Sequence, residues 1–252
     1  MRALLKPTHL IVVWDGGLSA ERMAALPEYK AQRPDMPDDL RPQFDEMVAY
    51  LNAAGVASFS RDGVEADDYI ACLVRNAVAA GMTVVIASAD KDFMQLVSTQ
   101  VGLFNPNDKS ESIWTDEQVR SKTGVAPQQI VDWLSLMGDN VDNIPGVPGV
   151  GPKTATALLG QFGSIDALFE RLDEVKSEKL QSALRASESA VRRNRSLVRL
   201  QDGLQCDFLP AELTVKRQDA KRLRELFQGW GFNGMLAELV DATMEPQQAI
   251  LI

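Results

Sequence analysis

The chain has 252 residues, 45% hydrophobic and 24% charged, a balance that folds around a sizeable core and excludes disordered and fibrous classes. It lacks a run of about 18 apolar residues, and MRALLKPTHL has neither the apolar stretch nor the cleavage site of a signal peptide, so the sequence predicts a cytoplasmic protein with no membrane partner. The net charge of -9 speaks as a sum against nucleic acid, yet Arg192, Arg193, Arg195 and Arg199 form one basic run and Lys216, Arg217, Lys221, Arg222 and Arg224 another, while many acids sit in short clusters whose charge divalent cations would cancel.

In chain order, LIVVWD (10–15) reads as a buried strand ending in an acid, and VASFS (56–60) as a second strand. From Asp67 onward, Ile70, Leu73, Val74, Ala77 and Val78 recur at helical spacing and the pattern stops at Gly81, which predicts a helix. TVVIASAD (83–90) repeats the strand-then-acid form, and VGLFN (101–105) with ESIWT (111–115) flanks the turn PNDK as a short hairpin. Residues 1–115 therefore read as α/β, a mostly parallel sheet flanked by helices. Past Thr115 helices joined by glycine turns are predicted at 116–122, 127–137, 152–161, 164–170, 177–185 and 187–199. A strand-like segment around LQCDFL and a last helix near 218–228 follow, so residues 116–252 read as a helical second domain with a C-terminal segment that returns to the core. Cys72 and Cys206 have no metal-ligand spacing and are predicted to be reduced and structural. His9, Trp14, Trp133 and Trp230 read as structural residues.

Ligands of an open parallel sheet gather at the carboxyl ends of its strands. Asp15 ends the first strand and Asp90 ends TVVIASAD, with Asp92 two residues on; Glu65, Asp67 and Asp68 follow VASFS at the entry to the helix. Any one of these acids has an alternative as a helix cap. Capping does not explain two or three acids per entry, because two carboxylates about 5 Å apart repel by roughly 3 kcal/mol at an effective dielectric near 20. Such a cluster takes up protons or binds cations. Oxygen ligands without histidine or cysteine select Mg²⁺ or Mn²⁺, and Asp139 and Asp142 extend the set. The natural reading is a site for two or more ions, whose chemistry is phosphodiester hydrolysis.

The glycine-rich stretch GVPGVGPKT follows those last two acids. Gly146 to Gly151 has the glycine spacing of a nucleotide-binding loop, but Pro152 separates Gly151 from Lys153 and the preceding segment is helical in pattern, so no nucleotide cofactor is expected. The remaining functional reading is a helix-hairpin-helix turn in which Gly146, Gly149 and Gly151 admit a phosphate, with Lys153 and Thr154 at the start of the next helix. A plain turn between helices is the competing reading.

Together GVEADDYIA, SADKDFMQLV and MGDNVDNIPGVPGVGPKTA resemble the bacterial 5′-nuclease family, related to flap endonucleases and to the N-terminal domain of DNA polymerase I. The resemblance covers the whole chain. It implies a PIN-like α/β core and a helix-three-turn-helix domain that binds duplex DNA, with Mg²⁺-dependent 5′-3′ exonuclease and flap endonuclease activity on branched or 5′-flap DNA. It also implies a potassium ion on backbone carbonyls of the hairpin turn. The metal-site acids carried over are Asp15, Glu65, Asp67, Asp68, Asp90, Asp92, Asp139 and Asp142. The segment EYKAQRPDMPDDL resembles the base of a helical arch (about 26–45), with Lys30 and Arg33 facing the scissile phosphate and Tyr29 available for stacking.

The resemblance further implies an initial strand ending in another metal-binding aspartate; Met1 falls beyond it, so the expectation is a truncated core. The expected protein is a free-standing, monomeric bacterial nuclease associated with the nucleoid. The alternative is a DNA-binding relative impaired in catalysis because that first strand and acid are missing, and an RNase of the PIN type is disfavoured by the hairpin turn.

Overall fold

The computed structural model describes residues 2–109, 112–206 and 209–244, which fall into two compact units. One unit holds residues 2–14, 35–59 and 209–244, and the other residues 15–34 and 60–206.

In the first unit, α1 (Arg2–Leu5) precedes β1 (Ile11–Val13), and α3 (Arg41–Ala53) precedes β2 (Ala57–Phe59). The strands pair in parallel, from Ile11 opposite Ala57 to Val13 opposite Phe59, and β1 is made wholly of β-branched residues. The tail supplies α10 (Pro210–Leu213), α11 (Ala220–Trp230) and α12 (Asn233–Met244). In α11 the side chain of Asp219 accepts a hydrogen bond from the Arg222 N–H at the start, and left-handed Gly231 ends the helix. Its Leu223, Leu226 and Phe227, at i, i+3 and i+4, form a core with Ala53, Val56 and Leu239. The predicted helix near 218–228 is thus present. The helix α12 was not anticipated, and in the segment around LQCDFL the described residues form no strand, while Asp207 and Phe208 lie outside the described residues.

The second unit begins with α2 (Ala20–Ala25) and continues with α4 (Ala66–Ala79), the predicted amphipathic helix, whose Ala71, Cys72, Leu73, Val74 and Ala77 are buried. Strands β3 (Val84–Ala87) and β4 (Val101–Phe104) pair in parallel, and β5 (Ile113–Trp114) closes the expected hairpin, with Leu103 opposite Trp114. Ser110 and Glu111 of that hairpin lie outside the described residues. There follow α5 (Asp116–Thr123), α6 (Ile130–Met137), the two-residue strands β6 (Gly138–Asp139) and β7 (Ile144–Pro145), α7 (Pro152–Phe162), α8 (Ile165–Glu170) and α9 (Glu178–Val198). The chain predicted as two helices, 177–185 and 187–199, is the single helix α9: Ser187 and Ser189 do not break a helix that has no glycine or proline in its interior.

The helices α6 to α9 share a core of Leu134, Leu136, Leu159, Ile165, Leu168 and Leu184. Fully buried Asn194 of α9 donates to the Ser135 carbonyl at 3.1 Å and to the Pro145 carbonyl at 2.8 Å, so both flanks of the acid-bearing loop 138–145 are anchored to α9. One expectation is overturned here. Cys72 on α4 and Cys206 form a disulfide rather than two reduced thiols, because the fold folds a segment 134 residues away back onto α4, a proximity that sequence spacing does not encode. Among the described residues no helix is long and apolar enough to cross a membrane.

Candidate metal centre

All eight acids singled out in the sequence belong to the second unit. Asp90 is the N-cap of a 3-10 helix over Lys91–Leu96, its side chain accepting from the Asp92 N–H at 2.9 Å. That turn brings Asp92 next to Asp139, on β6, and Asp142, three residues later. Single carboxylate oxygens of Asp92, Asp139 and Asp142 all lie within 4.8 Å of one another.

Burial pushes the Asp92 carboxyl well above the usual carboxylate range, and the charges of Asp90, Asp139 and Asp142 push in the same direction. One Asp92 oxygen, Oδ1, is buried without a hydrogen-bond partner. A buried, unpartnered acceptor among three carboxylates fits a hard divalent cation. Asp142 is also raised by burial, partly offset by Lys30 and Arg33. Asp67 rises to about 6 through burial and the charge of Asp90, with Glu65 and Asp15 adding to it while Lys30 opposes. These mutual effects join Asp15, Asp67 and Asp90 to the same electrostatic cluster. Lys91 Nζ stands 3.0 Å from Asp139 and supplies part of the missing positive charge.

Glu65 and Asp68 have different company. Asp68 is buried and receives both arms of the Arg22 guanidinium, at 2.6 and 2.7 Å, together with the Gln201 N–H at 2.8 Å. Asp68, expected among the metal ligands, holds a buried bidentate pair with Arg22 in this structure. Arg22 also donates to the Leu197 and Arg199 carbonyls, so it fastens α2 to α4 and to the end of α9. Its role had no signal in the sequence: Arg22 is the one buried residue of the short helix α2. Glu65 accepts from Ser19 N at 3.0 Å, from the Tyr29 hydroxyl at 3.0 Å and from Lys30 Nζ at 2.5 Å. Burial would raise its carboxyl, but the hydrogen bonds from Lys30 and Ser19 and the charges of Lys30 and Arg22 hold it below the ordinary range.

Tyr29, expected as a stacking platform, is 3% exposed, its hydroxyl spent on Glu65 and Asp142 and its pKa driven up by burial and by both carboxylates. The ring is therefore unavailable to a base in this conformation. Lys30 is likewise buried, on Glu65, while Arg33 is half exposed and reaches Asp142 Oδ1 at 2.7 Å. Within the segment expected to form the base of a helical arch, about 26–45, residues 26–40 form turns and irregular chain and the helix α3 starts at Arg41.

The glycine turn lies between β7 and α7. Gly146 is required by a close approach: a Cβ there would meet the Met137 carbonyl at 2.2 Å. Gly149 adopts φ +81, left-handed backbone at the exposed crest of the turn, while Val147 and Val150 on either side are buried anchors. Gly151 is the N-cap of α7, Pro152 its first residue, and a Cβ on Gly151 would meet nothing within 4 Å. Lys153 is exposed beside it and Thr154 partly buried. Gly151 thus owes its identity neither to packing nor to a left-handed backbone.

Residues 1–124 match the family described as 5′-3′ exonuclease, N-terminal resolvase-like domain, and residues 125–221 the one described as 5′-3′ exonuclease, C-terminal SAM fold. A 5′-3′ exonuclease of Aquifex aeolicus is 36% identical over 234 residues, covering 93% of this chain and 79% of that protein. DNA polymerase I of Bacillus caldotenax is 34% identical over 97% of this chain, which spans only 28% of the polymerase. Among solved structures, the bacteriophage T5 D15 flap endonuclease, in a pseudo-enzyme-product complex with DNA and metal ions, superposes with a TM-score of 0.68 at 25% identity, over 95% of this chain and 87% of that one. The catalytic core of Rad2 in complex with DNA substrate shares the fold, with a TM-score of 0.65 at 16% identity over 94% and 80% of the two chains. With both halves matched and more than two thirds of an exonuclease covered at this identity, the chain belongs to the 5′-3′ exonuclease family.

Proposed function

We propose that the protein is a divalent-metal-dependent, structure-specific 5′-3′ exonuclease and flap endonuclease that hydrolyses phosphodiesters of branched or 5′-flap DNA. The observation that carries this reading is the trio Asp92, Asp139 and Asp142, with a buried unpartnered oxygen on Asp92 and the cations of Lys30 and Arg33 adjoining Asp142. Asp92, Asp139 and Asp142 would hold one divalent ion, and Asp15, Glu65, Asp67 and Asp90 contribute to a second. Two Mg²⁺ or Mn²⁺ ions, when bound, supply water activation and stabilisation of the departing oxygen. Asp68 is reassigned to holding Arg22, and Tyr29 to orienting Glu65 and Asp142.

Lys30 and Arg33 are the proposed phosphate-steering residues, because they place two positive charges beside the acids where a phosphodiester would otherwise be repelled. The turn from Gly146 to Gly151, with Lys153 and Thr154, is the proposed duplex grip: an open N-cap glycine and an exposed lysine allow close approach of a phosphate without reading bases. A potassium ion at the same turn belongs to this proposal, as does action as a monomer.

The deciding experiment is Asp90→Ala assayed on a 5′-flap duplex. Cleavage in Mg²⁺ is expected to be abolished, with binding of the same DNA in Ca²⁺ retained. Ordinary cleavage by the variant would overturn the assignment of the acids.

A further inference from the structure

The segment 28–33 is fastened to the loop 140–143 by contacts that do not involve the acid trio alone. Asn143 Nδ2 donates to the Glu28 carbonyl at 2.7 Å, the Lys30 N–H donates to the Asp142 carbonyl at 3.0 Å, and Gln32 Nε2 donates to the Asn140 carbonyl. Lys30 at φ 55 and Asn143 at φ 57 are two of the three non-glycine residues with positive φ among the described residues. Asparagine tolerates this region, whereas lysine adopts it only where the surroundings enforce it. Lys30 is held directly by its N–H bond to the Asp142 carbonyl and by its side chain on Glu65, and the backbone that leads into it is held as well. The Glu28 carbonyl lies on one side of Lys30, and Asn143 grips it from 115 residues away in sequence.

We propose that Asn143 is a positioning residue: by holding the Glu28 carbonyl it fixes the backbone of residues 29–33 and so sets Lys30 and Arg33 beside Asp142 and Glu65. The inference rests on the phosphate-steering role proposed for those two cations. A simple turn residue would need only the left-handed backbone, which closes the 140–143 turn through the Asn143 N–H and the Asn140 carbonyl. The side-chain bond to Glu28 is additional to that requirement. Through it, the loop that carries Asp139 and Asp142, and that runs directly into the glycine turn, also carries the placement of the steering cations.

The test is Asn143→Gly, which keeps the left-handed backbone and removes only the amide. In the metal-free protein without DNA, amide exchange is expected to rise over residues 29–33 and to stay unchanged in α6 and α7. On a 5′-flap substrate kcat is expected to fall on the order of tenfold with KM for the duplex unchanged, the size of effect a lost orienting hydrogen bond produces. Asn143→Asp is the second variant: it keeps size and left-handed tolerance but sets a carboxylate against the Glu28 carbonyl, and the same pattern is expected. Wild-type exchange at 29–33, exchange raised throughout the unit, or an unchanged kcat despite faster local exchange would each overturn the positioning role. Absence of Mg²⁺-dependent cleavage by the unmodified protein would instead count against the nuclease reading and leave the exchange result to decide the fastening.

Discussion

Within one unit of the molecule, two groups of carboxylates live under opposite conditions. Glu65 and Asp68 are buried, and Lys30, Tyr29, Ser19 and Arg22 occupy their oxygens. Asp67, Asp92 and Asp142 are each pushed above the usual carboxylate range by burial and by other acids. In the first group, the scaffold, Asp68 is neutralised by Arg22 and Glu65 is held by donors of this chain, whereas the second group carries charge that the cations beside it offset only in part. What separates the two groups is the donors that face each carboxylate rather than burial itself.

The largest expected effect falls on the scaffold side. Replacing Arg22 by Ala leaves Asp68 charged and unpaired in the interior, and breaking a buried pair from one side costs about 3–5 kcal/mol. Urea unfolding should show that loss, whereas Arg22→Met combined with Asp68→Leu, which removes both charges, should recover most of it. If the single and the double variants were equally unstable, packing rather than charge pairing would be the function of Arg22.

On the other side of the comparison, removing a charge should help the metal-free protein. Burial and the charge of Asp90 push the folded Asp67 carboxyl up from its ordinary 3.8 to about 6, so the folded state holds the proton more tightly than the unfolded chain. That contribution favours folding below the unfolded value, is lost as pH rises through the folded one, and leaves repulsion at neutral pH. Asp67→Asn in a chelator is therefore expected to raise Tm at pH 7, with the gain shrinking to nothing as pH falls below about 4. Saturating Mg²⁺ should stabilise the unmodified protein more than the variant. A variant that lost stability in the chelator at pH 7 would move Asp67 into the scaffold group.

The smallest expected effect concerns the turn rather than the acids. Lys153→Ala should weaken binding of duplex DNA uniformly across sequences and reduce the salt dependence of log K by about one unit of slope, with cleavage of bound DNA unchanged. A change in cut position instead would place Lys153 with Lys30 and Arg33.

Much of this was legible in the residues. Helical spacing from Ile70 to Val78 gave α4, the strand-then-acid form gave β3 and Asp90, and Pro152 removed the nucleotide loop and began α7 where a first-turn proline belongs. Acidic doublets at strand ends were enough to point to metals, because local repulsion between carboxylates depends on spacing that the chain itself fixes. The status of individual members was not legible. Asp67 and Asp68 are adjacent in sequence, and only one of them faces Arg22, which arrives from 46 residues upstream.

What the sequence by itself determined was the family, several of the elements and the candidate acids, since propensity, periodicity and motif spacing are properties of neighbours along the chain. What only the tertiary structure decided was partnership: Arg22 with Asp68, Tyr29 and Lys30 with Glu65, Asn143 with Glu28, and Cys72 with Cys206. Each of these joins residues dozens to more than a hundred positions apart. The energy of a buried charge or hydrogen bond depends on what stands across from it in space, and that is set by packing.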